Sequence, residues 1–170
     1  MADVQCGFGH LCLLEQAYAQ ALEHFKQAEA LCGSFYYGRA IEARSYRAIA
    51  HLAMGEWKEA LVCSHHAVVW LIGREHAMIA PQQIYWNQYQ VLLAQGEPEE
   101  AQQALVKAHR AVVNQLDSLA SAYPTSVDTT GIQEQFLTRL PWNEDIVTVW
   151  DMLPISNSSV ALHFLHGYPG

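Results

Sequence analysis

Thiols and imidazoles are the side chains of this 170-residue chain best suited to chemistry, with four Cys and nine His. Two groups approach metal-ligand spacing: Cys6, His10 and Cys12, and Cys63, His65 and His66. Thiolate and imidazole together are the usual ligands of zinc. Neither group, however, has paired C-x-x-C knuckles or the two-histidine spacing with which a helix grips zinc. On a helix, moreover, Cys63 and His65 point to opposite sides. The expectation is reduced core thiols and surface histidines, with no metal site. His163 and His166 near the end of the chain are read as surface residues too. Two disulfides are allowed by the cysteine count, but the spacing does not ask for them.

Other chemistries find less support. There is no Gly-x-x-x-x-Gly-Lys phosphate loop and no Gly-x-Ser-x-Gly elbow, and Gly7-Phe-Gly9 leads into no strand–helix unit. Glu15, Glu23, Glu56, Glu59, Glu97, Glu99 and Glu100 fall near helix starts or on exposed faces, where capping and solubility account for them. No catalytic residue and no cofactor is assigned, and the chain is not expected to be an enzyme. Arg44, Arg47 and His51 lie at helical spacing and would suit an acidic partner. Such a stripe is more often a solvated face, or pairs with Glu42, Glu56 and Glu59.

Charge narrows the choice of partner. Nine Lys and Arg stand against 17 Asp and Glu, a formal net charge of −8. That balance opposes non-specific binding to nucleic acid or to an anionic membrane, both of which need clustered cations. No run of roughly 18 apolar residues is present to span a bilayer. The longest candidate, residues 60–72, is interrupted by Ser64, His65 and His66. The N-terminus lacks the basic start and continuous apolar stretch of a secretory signal. The expected setting is cytoplasmic, with the cysteines reduced.

The elements that position these residues follow from a repeat. Gln16-Ala-Tyr-Ala-Gln-Ala21, Gly55-Glu-Trp-Lys-Glu-Ala60 and Gly96-Glu-Pro-Glu-Glu-Ala101 start 39 and then 41 residues apart. Each opens a helix whose small residues recur: Ala21 and Ala28, Ala60 and Ala67, Ala101 and Ala108, with Phe25, Ser64 and Leu105 between them. Self-similarity at one spacing marks stacked helical hairpins.

The predicted fold is all-α: three hairpins, residues 3–32, 38–73 and 81–122, then closing helices over 131–152, together one domain (1–153), and a tail, 154–170. Gly33, Gly55, Gly73 and Gly96 supply helix stops, with Ser34 able to cap the helix after Gly33. Pro81 and Pro98 suit first turns. Residues 1–15 read as a poor helix because of Gly7 and Gly9. The loop at 123–131 is the clearest in the chain. Thr130 and Gln133 resemble a capping box for a helix ending at Leu140, and Asn143 is expected to cap another that buries Ile146, Val149 and Trp150. A run at 160–165 could form an edge strand or dock on the last hairpin.

The aromatic two residues past the turn (Tyr18, Trp57), the alanines at 21, 60 and 101, the large Phe25 and Leu105, and the second alanines at 28, 67 and 108 resemble the tetratricopeptide repeat over roughly residues 10–120. The period near 40 exceeds the ~34 of that family, and Pro98 and Ser64 stand where aromatics are expected. Residues 84–96 with 136–143 resemble the C-terminal end of repeat arrays in large multidomain bacterial signalling and transcription-activator proteins. That resemblance implies a sensing or protein-interaction segment and brings no catalytic residues.

In such arrays the leading helices line a concave groove. Carried over by position, the groove here comprises Glu42, Ser45, Ile49 and Leu52, and Gln83, Trp86, Gln90 and Leu93. Trp86 between two glutamines is the expected anchor for a protein or peptide, although it would equally pack on a neighbouring hairpin. Ser45, Ile49, Trp86 and Gln90 replace the Lys and Asn of co-chaperone clamps, which disfavours capture of a C-terminal carboxylate. The alternatives are a sensor taking a small molecule, which a closed apolar pocket around Trp86 would favour, and a zinc-dependent enzyme. Self-association through the N-terminal hairpin is expected as well, because an uncapped repeat end exposes apolar surface.

Overall fold

In the computed structural model, residues 1–32, 37–122 and 141–152 are described. Seven α-helices account for nearly all of them: α1 (Ala2–Leu14), α2 (Tyr18–Cys32), α3 (Tyr37–Ala53), α4 (Trp57–Leu71), α5 (Pro81–Gln95), α6 (Pro98–Ala122) and α7 (Pro141–Met152), with a single 3-10 turn at Glu75–Ala77. No strand occurs among the described residues. The fold is all-α, and each helix from α1 to α6 packs on the next.

Three turns of the same construction set the repeat. Gln16, Gly55 and Gly96 each adopt the left-handed conformation, with φ of 60°, 76° and 79°. Their amides donate to Leu13, Leu52 and Leu93, and the following amides of Ala17, Glu56 and Glu97 donate five residues back to the carbonyls of Cys12, His51 and Leu92. This pair of bonds is the Schellman motif, which satisfies the last carbonyls of a helix. The chain enters the next helix in the same register each time, since the amides of Ala21, Ala60 and Ala101 donate to residues 17, 56 and 97.

What these turns place in the interior is the repeated small-large-small stripe. Ala21, Phe25 and Ala28, Ala60, Ser64 and Ala67, and Ala101, Leu105 and Ala108 are all buried. The alanines let helix axes approach, and the larger residue fills the space between them. Burial of Phe25 alone is worth about 2 kcal/mol. One cluster joins α1, α2 and α3 through Cys6, Cys12, Phe25 and Tyr46. Another joins α3 to α7 through Ile41, Leu71, Ile84, Leu105, Ile146 and Trp150.

Contacts between alternate helices give the stack its direction. α1 touches α3, and α3 touches α5. The first helices of successive pairs therefore lie along one side. At the far end α7 packs on α5 and α6, stacking Trp150 on His109 with ring centroids 4.3 Å apart.

Two sequence expectations are corrected. Residues 2–14 form a regular helix despite Gly7 and Gly9, because α1 seats against α2 where Gly9 meets Phe25; packing outweighs propensity. Asn143 is not an N-cap: Pro141 begins α7, and Asn143 lies inside it, fully buried, accepting a 3.1 Å hydrogen bond from Gln82 Nε2. Ile146 and Trp150 are buried as expected, and Val149 is half-buried. The expectations for Gly33 and Ser34, the 123–131 loop, the helix ending at Leu140 and the tail fall outside the described residues.

Candidate interaction surface

The groove residues separate by depth. Ser45 and Gln83 are buried. Ser45 Oγ accepts from Asn87 Nδ2 at 2.9 Å, a buried bond tying α3 to α5, so this hydroxyl is committed within the chain. Glu42 is occupied too: its carboxylate accepts from Arg39 Nη1 at 2.6 Å, and Arg39 Nε also reaches Asp3 at 2.8 Å. Burial nevertheless holds Glu42 above the usual carboxylate range, with Arg39 opposing.

Ile49, Leu52, Trp86, Gln90 and Leu93 keep accessible surface. Leu93 is 50% exposed. Trp86 is half-buried against the large core cluster and stacks on Tyr89, with centroids 5.0 Å apart and rings 23° from parallel. Tyr89 was not among the expected groove residues. Its position three residues after Trp86, one helical turn on, was the available signal.

Arg44 and Arg47 converge on one carboxylate of α2. Arg44 pairs with Glu29, and Arg47 Nη1 lies 2.5 Å from the same group. Arg44 Nη1 also lies 2.7 Å from His66 Nδ1. Burial and then Arg47 push the Arg44 guanidinium below its ordinary value. His51 Nδ1 meets Glu56 at 2.5 Å. The stripe thus serves intrachain pairs, using Glu29 where Glu42 and Glu59 were the expected acids.

The thiols of both thiol–imidazole groups lie in the interior. Cys6 and Cys12 are buried, and His10 packs edge-on against Tyr46 at 3.9 Å and Phe25 at 5.4 Å. Burial, reinforced by Glu42, pushes the Cys6 thiol up to about 11, and burial with Arg39 lowers His10 to about 4. Cys63 is buried while His65 and His66 are exposed. All four cysteines are free thiols.

A cleft of about 490 Å3 takes in Glu42 alone of the expected groove residues and lies where Met1, Asp3, Leu31, Arg39, Glu42 and Met78 meet. No described helix is long and apolar enough to cross a membrane. No known protein family, curated protein or solved structure matches the chain.

Proposed function

We propose that the chain is a non-enzymatic, tetratricopeptide-like scaffold that holds a protein or peptide segment along the side formed by α1, α3 and α5. The observation that carries this reading is the direct contact of α3 with α1 and α5. In this reading these three helices line the concave face that a curved stack of hairpins offers. Ile49, Leu52, Gln90 and Leu93 leave apolar surface and an amide accessible there, with Trp86 and Tyr89 as a rigid aromatic pair beside them. The acidic balance of the chain disfavours nucleic acid and membrane as the occupant. In this reading the chain is a regulatory segment of a larger cytoplasmic signalling or transcription-activating protein of a bacterium.

The test is retention of a partner from the source cell by wild type, Leu93→Glu and Val62→Glu. Leu93 and Val62 are both exposed, the first on α5 and the second on α4, so both variants are expected to fold. Loss of the same partner from Leu93→Glu alone supports the reading. Equal retention by all three contradicts it.

A second reading, a small-molecule sensor, draws support from the 490 Å3 cleft, whose wall combines Met1, Leu31, Met78 and Ile79 with the Asp3–Arg39–Glu42 pairs. It would place the ligand away from Trp86. Thermal-shift screening that finds a ligand sensitive to Met78→Ala and indifferent to Leu93→Glu would favour it over the peptide groove.

A further inference from the structure

We infer that the outer face of α1 is a docking surface for α1 of a second copy of the chain, packed antiparallel across a two-fold axis. Nothing in it depends on the groove. Over Ala2–Leu14 only Asp3, Gln5 and His10 are polar. A helix apolar on all sides belongs between two covering layers. The structure covers one side only, through Cys6, Gly9 and Cys12.

On the other side Met1, Val4, Phe8, Leu11 and Leu14 remain exposed, at intervals of three and four residues, in a continuous stripe. The next helix shows no such stripe; α2 turns Gln20, Glu23, Lys26 and Gln27 outward. At the opposite end of the stack α7 packs on α5 and α6, whereas no described helix covers this face of α1.

The stripe is complementary to its own reverse. Run antiparallel about its midpoint, it sets Met1 against Leu14, Val4 against Leu11 and Phe8 against Gly7. Gly7 fits this arrangement and nothing among the described residues of its own chain, since a Cβ there would meet none of their atoms within 4 Å. Glycine inside a helix is otherwise unfavourable, whereas at a crossing it leaves room for an opposing Phe8 ring. The charges agree as well. No charged side chain interrupts the stripe between Val4 and Leu14, Asp3 is held by Arg39 of its own chain, and Glu15 at one helix end would approach the positive N-terminal turn of the other. Two such faces together bury on the order of 1,000 Å2, the lower limit for a specific interface. The dimer is therefore weak, and because each copy carries −8 it tightens as salt is added.

Sedimentation velocity from low micromolar to submillimolar concentration tests this on wild type, Leu11→Glu and Val62→Glu, with helicity followed by circular dichroism. Wild type and Val62→Glu are expected to move toward twice the 19.1 kDa chain mass, while Leu11→Glu stays monomeric. Should Leu11→Glu lose helicity, Val4→Glu replaces it: an acidic residue suits the first turn of α1, and this variant is also expected to stay monomeric. A wild type that remains monomeric overturns the proposal, including where a further segment or another protein covers the face. So does a dimer that Leu11→Glu or Val4→Glu leaves intact, or one that Val62→Glu also abolishes.

Discussion

Gly9 of α1 lies so close to Phe25 of α2 that a Cβ on Gly9 would stand 2.6 Å from Phe25 Cε1. Phe25 is fully buried and stacked on Tyr46, so the ring has little room to retreat. Gly9→Ala is expected to cost about 1–3 kcal/mol through overpacking, even though alanine favours the helix. Gly7→Ala, which meets nothing among the described residues, is expected to stabilise dilute protein by about 0.5–1 kcal/mol. Urea denaturation of both variants at low concentration checks the pair; equal effects of the two substitutions would contradict the packing described for α1.

The three turns differ in one residue that matters. Gln16 occupies the left-handed position that Gly55 and Gly96 fill in the other two. A side chain there is strained, so Gln16→Gly is expected to stabilise by about 1 kcal/mol. Gly55→Ala and Gly96→Ala are each expected to destabilise by about 1 kcal/mol. Thermal unfolding of the three variants reads the difference, and a destabilised Gln16→Gly would argue against the common turn.

These turns also show how far the sequence could be read locally. Glycine stops, first-turn prolines and recurring alanines all act within a few residues, and they marked α3 to α6 closely. The features that escaped depend on distant partners. Gly7 and Gly9 argue against a helix until Phe25 is placed beside them. Asn143 resembles a cap until Gln82, 61 residues away, is found bonded to it. Ser45 and Gln83 look like groove residues at the right helical offsets, yet both are buried, Ser45 where α5 brings Asn87 onto α3. Leu93 and Gln90 keep accessible surface on α5.

Asn87 and Ser45 form the buried bond between the first helices of successive hairpins. Ser45→Ala leaves the Asn87 amide without that acceptor and is expected to cost about 1–3 kcal/mol. A double-mutant cycle with Asn87→Ala should give a coupling of about 1 kcal/mol. Additive losses would mean that the bond does not hold α3 to α5.

His10 supplies a pH dependence. Its folded value is lowered to about 4, first by burial and then by Arg39, below the ~6.5 of an unfolded histidine. The unfolded chain therefore binds the proton first as acid is added, and stability falls between about pH 6.5 and 4. Because the ring keeps some solvent contact, the loss is discounted to about 1–2 kcal/mol. His10→Phe is expected to remove this component. The wild-type denaturation midpoint should fall relative to that of the variant as the pH drops; parallel curves would refute the assignment.

A photo-crosslinking residue placed at position 93, and separately at position 62, tests the proposed function most directly inside the source cell. A discrete adduct with one protein is expected from position 93 and none from position 62. No adduct at 93, or the same adduct from both positions, would contradict the scaffold reading.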